Sequence, residues 1–288
     1  MNTVYLDGQF VDAAEARISP LDRGFLFADG VYEVVPVFNG VPFRIEEHLQ
    51  RLERSMRELQ IDNPHPREQW RALCGEIVSR NGGGNVSIYV QVTRGTAAKR
   101  DHVFPVPAVP PTVFMSASPL SLSPLHNPDS AVGAKALTRE DNRWDRCDIK
   151  SVALLPNILF RQMAQVVGAA EVILTRNGCV TEGSSTNVFV VKNGRIATPP
   201  ISNRILAGVT RNLTVEICRQ HGLPIEEREV TKAELEAADE LWITSSTKDV
   251  LPIVALEGRA VGGGRPGPVW KELAGYFLAY KRKICNLG

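Results

Sequence analysis

Val180-Thr181-Glu182-Gly183-Ser184-Ser185-Thr186-Asn187 sets one carboxylate in a small, hydroxyl-rich turn between two strand-like segments, 171–175 and 187–192. Earlier, Cys147-Asp148-Ile149-Lys150-Ser151 places one lysine directly before an apolar run whose spacing predicts a helix over 151–167. The same alternation continues with a helix over 208–221, a strand over 240–244 and a closing helix over 268–283. Gly262-Gly263-Gly264 reads as a turn. Strand pairs joined by turns outnumber strict strand-helix-strand units, so the expected fold is mixed α/β and not a doubly wound sheet.

The first half is built from hairpins. Segments 3–6 and 9–11 flank Asp7-Gly8, and 31–38 and 42–44 flank Asn39-Gly40; both dipeptides favour tight turns. Leu49, Leu52, Met56 and Leu59 recur at helical spacing over 45–59, and a second helix over 66–80 stops at Asn81-Gly82-Gly83-Gly84. Strands are expected at 86–93 and 112–117. Proline marks a loop at 105–111 and an aperiodic linker at 120–128. The expected organisation is a smaller N-terminal domain, 1–119, that linker, and a larger C-terminal domain, 129–288.

Composition narrows the class. The chain has 288 residues, 43% hydrophobic and 23% charged, as in ordinary globular enzymes. A net charge of +1 gives no reason to expect nucleic acid or an acidic membrane as partner. The start, Met1 to Asp7, has neither the basic residues nor the apolar run of a secretory signal, and no apolar stretch is long enough for a membrane span. Cys74, Cys147, Cys179, Cys218 and Cys285 are scattered, which fits a reducing cytoplasm and argues against a zinc site.

Lys150 and Glu182 point to a chemistry. Taken alone, Lys150 is a surface lysine and Glu182 a turn carboxylate capping nearby amides. The apolar residues Val152, Ala153, Leu154, Leu155 and Ile158 are expected to desolvate Lys150 and make its amine nucleophilic. An amine that forms a Schiff base and a carboxylate that keeps a pyridine nitrogen protonated are what a protein supplies to run pyridoxal phosphate. Gly183, Ser184 and Ser185 allow close backbone approach and offer donors. A phosphate site is expected at 205–210, where Gly208 opens a helix and Thr210 adds a hydroxyl. Arg51 offers a forked cation, unless it lies on a solvated helix face, and Thr244-Ser245-Ser246-Thr247 offers four hydroxyls.

The chain resembles the class IV, fold-type IV, aminotransferases. The resemblance rests on Asp22-Arg23-Gly24, Asp29-Gly30-Val31-Tyr32-Glu33, Glu47-His48 with Arg51-Leu52, Gln91-Val92-Thr93-Arg94-Gly95, Arg146 to Lys150, the Glu182 segment and Gly208-Val209-Thr210-Arg211. It covers nearly the whole length. It implies that Lys150 carries pyridoxal 5'-phosphate and that Glu182 meets the pyridine nitrogen. Arg51, Val209, Thr210, Ser245 and Ser246 fall on phosphate-binding positions, and Ser184 and Ser185 on the cofactor pocket. It also implies a homodimer with the active site near the subunit interface.

Within that family the chain is most similar to the D-amino acid branch. There a Tyr and an Arg-x-His pair bind the substrate carboxylate, which implies Tyr32, Arg100 and His102 here. The preceding Thr96-Ala97-Ala98-Lys99 segment is one residue longer than in bacillary members, so Lys99 competes with Arg100 for that role. The implied reaction is D-alanine with 2-oxoglutarate giving pyruvate and D-glutamate, by ping-pong kinetics. Alternatives within the family are R-selective amine or branched-chain amino acid transamination and aminodeoxychorismate lyase. A cofactor-binding protein without turnover is disfavoured by the presence of both Lys150 and Glu182.

Overall fold

The computed structural model describes residues 2–121 and 123–287; Leu122, in the expected linker, lies outside them. The chain divides into two compact units: Met1–Ser121 with Ile149–Ala153 and Ile284–Gly288, and Leu122–Asp148 with Leu154–Lys283.

The first unit contains β1 (Thr3–Leu6), β2 (Gln9–Asp12), α1 (Arg23–Phe27), β3 (Gly30–Phe38), β4 (Val41–Pro42), α2 (Ile45–Glu58), α3 (Arg67–Arg80), β5 (Val86–Thr93) and β6 (Thr112–Pro119). Its strands form a six-stranded antiparallel sheet in the order β2-β1-β6-β5-β3-β4. Period-2 burial along β5 turns Ile88, Val90 and Val92 toward α2 and α3, where they meet Leu49, Leu52, Met56, Trp70 and Ile77. Asp7-Gly8 and Asn39-Gly40 turn with positive φ at both residues, the geometry these dipeptides tolerate. The second hairpin differs from expectation: β4 stops at Pro42, and Arg44, at φ 56°, is already the residue that starts α2.

The second unit contains β7 (Ala134–Glu140), α4 (Leu155–Val166), β8 (Glu171–Arg176), β9 (Cys179–Gly183), β10 (Asn187–Lys192), β11 (Arg195–Thr198), α5 (Val209–Gln220), β12 (Ile225–Glu227), α6 (Lys232–Glu236), β13 (Glu240–Ser245), β14 (Asp249–Leu256), β15 (Arg259–Ala260) and α7 (Pro268–Cys285), whose last residues belong to the first unit. The nine-stranded sheet runs β12-β11-β10-β13-β14-β7-β8-β9, with β15 on β14. It is mixed: β7 is parallel to both β14 and β8, and β11 to β12. Val188, Val190, Leu241, Ile243 and Ile253 form its core with Val230 and Leu235, while Phe160 and Ala164 of α4 pack on Val172 and Leu174. β14 carries Pro252, which cannot donate to a ladder; pairing with β7 begins only at Ile253, so no β7 bond is lost.

Candidate active site

The lysine segment is not the start of a helix. α4 begins at Leu155, with Pro156 in its first turn, the position where proline's missing N–H costs nothing. Residues 149–152 instead run along the N-terminal end of β3, where β4 does not reach, with a tight turn at Lys150 in which Ser151 N–H donates to Ile149 O at 2.8 Å. Tyr32 N–H donates to Lys150 O at 2.9 Å, Val152 N–H to Gly30 O at 3.0 Å, and Ser151 bridges Val31 antiparallel. Lys150 N–H donates to Ser55 Oγ of α2 at 3.2 Å. Ile149 sinks into the first unit's core. Lys150 Nζ lies 4.1 Å from the centroid of the Tyr32 ring. Of the apolar residues expected to desolvate it, Leu155 and Ile158 are exposed.

Arg51 is buried on the core-facing side of α2, not on a solvated face. Its Nε and Nη2 donate to Glu33 Oε1 and Oε2 at 2.7 and 2.9 Å, and His48 Nδ1 shares Oε2 at 2.8 Å. Burial works to raise the Glu33 carboxyl, but the paired bonds and charge of Arg51, with His48, hold it well below the carboxylate range. Burial also depresses His48, so its contact with Glu33 is a neutral hydrogen bond. Glu33 and His48 stood in the sequence only as parts of a motif; nothing local marks them as partners of Arg51.

The loop after β5 places Lys99 and Arg100 in different settings. Lys99 is 81% exposed at its side chain and pairs with Asp101 at 3.3 Å. The Arg100 guanidinium lies 4.9 Å from the centre of the Phe27 ring, and the His102 ring 5.2 Å from it. Arg100 and His102 thus share one aromatic post that Lys99 does not use. Among the described residues no hydrogen bond joins either of them to Tyr32.

In the second unit, Glu182 lies in strand β9, and the turn is 184–186. Arg143 Nη1 donates to Glu182 Oε1 at 2.7 Å; Asn187 Nδ2 and the Leu206 N–H donate to Oε2 at 3.1 and 2.9 Å. Arg143 is shared, since its Nε and Nη2 hold Asp141 at 3.0 and 2.9 Å. Burial pushes Glu182 up to about 7, against the pull of Arg143 and with a further push from Asp141. Asp141 and Arg143 were not legible as site residues, because a parallel strand, β7, delivers them from a distance in sequence.

Ser184 and Ser185 do not offer their hydroxyl protons as expected. Both hydroxyls donate to buried Glu171, Ser185 at 3.0 Å, as does Thr186 Oγ1 at 2.9 Å. Val209 and Thr210 form the first turn of α5, and Gly208 before them provides no side-chain cap, so the dipole end and its amides face outward. Glycine is required there by contact: a Cβ would sit 2.1 Å from Asn187 Oδ1, the same Asn187 that holds Glu182. Ser245 Oγ accepts from Lys248 N–H at 3.2 Å, and Ser246 is half-buried beside it. Thr244 Oγ1 is buried without a hydrogen-bond partner.

Residues 30–256 match the family model for amino-transferase class IV. The chain belongs to the class IV aminotransferases. It is therefore a pyridoxal-phosphate-dependent aminotransferase of fold type IV. D-Alanine aminotransferases from Bacillus licheniformis and Staphylococcus aureus (strain COL) are 39% and 38% identical to it, over 94% and 97% of this chain and 94% and 98% of theirs. Among solved structures, the T.th. branched-chain amino acid aminotransferase complexed with N-(5'-phosphopyridoxyl)-L-glutamate aligns with TM-score 0.86 at 26% identity, covering 99% of this chain and 94% of that one. The branched-chain aminotransferase of Thermoproteus uzoniensis aligns at 0.84 and 27%, covering 99% and 95%.

The donor set of this aminotransferase fits the cofactor. A buried carboxylate whose charge is under-compensated suits a protonated ring nitrogen, and an uncapped helix start with neighbouring hydroxyls suits a phosphate. Among the described residues there is no group of metal-ligating side chains, and no helix is long and apolar enough to cross a membrane.

Proposed function

We propose that this aminotransferase acts on D-amino acids, taking D-alanine and 2-oxoglutarate to pyruvate and D-glutamate. The observation that carries the reading is the Phe27 post, against which both the Arg100 guanidinium and the His102 ring pack, bringing two donors suited to an α-carboxylate to one place. Identity of 38–39% to D-alanine aminotransferases over almost the full length supports it. The structural similarity to branched-chain enzymes comes at 26–27% identity and speaks for the shared fold.

Pyridoxal phosphate, when bound, supplies the electron sink that lets substrate Cα release its proton. Lys150 Nζ would hold the cofactor and would move the proton at Cα as base and then acid. Glu182 holds the proton at the ring nitrogen, and Arg143 and Asn187 fix its two oxygens. The start of α5 at Val209 and Thr210, with Arg51, Ser245 and Ser246, binds the phosphate. Ser184 and Ser185, locked on Glu171, shape the cofactor pocket. Arg100 and His102, with Tyr32, bind the carboxylate. Fixing that group decides which face of Cα presents its hydrogen to Lys150, so stereochemistry follows from the anion site. Two half-reactions through one lysine give ping-pong kinetics.

We infer also that the chain works as a homodimer in the cytoplasm. Leu155, Ile158, Leu159, Met163 and Val166 form an exposed apolar stripe on α4 at helical spacing, a face suited to a second copy. The five cysteines are free. Light scattering tests the dimer; a monomer at micromolar concentration would contradict it.

The activity is tested by adding D-alanine, L-leucine and an R-amine separately to the purified holoenzyme and following the cofactor's visible band. D-alanine should convert it fastest. Faster conversion by L-leucine or by the amine would assign the branched-chain or amine reaction instead.

A further inference from the structure

The loop carrying Arg100 and His102 is fastened to α1 from beneath. Arg23 is 3% exposed. Its Nε donates to Asp29 Oδ2 at 2.8 Å. Its terminal nitrogens take three successive loop carbonyls: Nη1 those of Asp101 and Val103 at 2.5 and 3.3 Å, Nη2 that of His102 at 3.2 Å. Asp29 is held in turn by Arg94, whose guanidinium lies 3.6 Å from the centre of the Phe104 ring at the loop's far end. At the near end, Arg23 N–H donates to Gly95 O at 3.0 Å. One turn along α1, Phe27 stands within cation–π reach of both Arg23 and Arg100, at 4.9 Å each, and against the His102 ring.

We propose that Arg23 and Phe27 are positioning residues for carboxylate recognition: Arg23 fixes the main chain of 101–103, and the Phe27 ring fixes the side chains of Arg100 and His102. This rests on the reading that Arg100 and His102 bind the substrate carboxylate. An exposed arginine samples many rotamers, and a site needing its fork in one place loses affinity to that freedom. The buried Arg23, with its planar set of donors, is suited to three carbonyls in a way lysine is not. The Asp22-Arg23-Gly24 motif and the Arg-x-His pair, far apart in sequence, are thereby parts of one device.

The test uses the holoenzyme and four variants: Phe27→Leu, Phe27→Tyr, Arg23→Lys and Arg100→Ala. Phe27→Leu keeps apolar volume and removes the ring face. It should raise KM for D-alanine and for 2-oxoglutarate by roughly 3- to 10-fold, the scale of a lost cation–π contact, with kcat within about twofold. Phe27→Tyr should restore the parent value. Arg23→Lys keeps charge at Asp29 but loses the fork, and should raise the same KM. Amide hydrogen exchange at 100–104 should accelerate in Phe27→Leu and Arg23→Lys and not in Phe27→Tyr, a readout independent of turnover. If Arg100→Ala raises KM while Phe27→Leu and Arg23→Lys leave KM and loop exchange unchanged, the positioning role is wrong and the carboxylate site stands. If Arg100→Ala leaves KM unchanged, the carboxylate reading itself fails and the proposal with it.

Discussion

Glu33 and Glu182 are both buried carboxylates beside a buried arginine, yet burial wins at one and loses at the other. Glu33 receives two N–H groups of Arg51 plus His48, and its carboxyl is held well below the usual range. Glu182 receives one N–H from Arg143, because Asp141 holds that arginine's other nitrogens, and burial pushes it up to about 7. The difference lies in how the fork is shared. A carboxylate given two arginine N–H groups and a histidine is a structural anion. A carboxylate given one arginine N–H has unspent demand for a cation, which a protonated ring nitrogen would meet.

The pair of substitutions Glu33→Gln and Glu182→Gln breaks that comparison most sharply. Glu182→Gln should fold as the parent does and lower half-reaction rates by about 10²-fold or more, the scale of a lost electrostatic contact in a dry site. Glu33→Gln strands Arg51 and should cost about 3–5 kcal/mol of stability, read as a fall in Tm. Equal effects of both on Tm would show that the two carboxylates do the same job.

Asp141→Asn sharpens the same contrast. It removes the competitor for Arg143 and a negative neighbour, so the Glu182 carboxyl should fall from about 7. Cofactor affinity of the apoenzyme should drop below pH about 7 in the parent, where Glu182 takes a proton and loses its pairing with the ring nitrogen. In Asp141→Asn that drop should move to lower pH. A move to higher pH would mean that Arg143 does not arbitrate between the two acids.

The smallest effect concerns sign. His48 is depressed by burial from an ordinary value of 6.5, so its contribution to stability is present above that value and is lost as pH falls, when the unfolded chain takes the proton first. Glu182 is raised from 4.5, so its contribution is full below 4.5 and is lost as pH rises to about 7. Below pH 6.5, Tm of His48→Gln should depend on pH less steeply than Tm of the parent. A steeper dependence would mean that His48 is charged in the fold.

Much of this was legible in the sequence, for identifiable reasons. Hairpins at Asp7-Gly8 and Asn39-Gly40 are local and appear where the dipeptides place them. The spacing of Leu49, Leu52 and Met56 gives α2 its buried face. The lysine and the carboxylate stood out because each sits in an unusual local setting. Their surroundings did not. The seating of Lys150 beside β3 is a long-range pairing, and Pro156 was the one local sign that the helix starts later. Arg143, Asp141 and Glu171 reach their partners through β7, β8 and β9, whose register no short window of sequence records. Ser184 and Ser185 were recognisable as site residues, but that their hydroxyl protons are given to Glu171 follows from the sheet alone.

The central claim is that Lys150 carries the cofactor, and one experiment reaches it directly. Two lysines face such a role on chemical grounds: Lys150 beside Tyr32, and Lys248, depressed by burial near Ala170. Borohydride reduction of the holoenzyme followed by peptide mapping should place the pyridoxyl label on the peptide containing Lys150, and Lys150→Ala should abolish it. Label on Lys248, or label that survives Lys150→Ala at parental yield, would contradict the account.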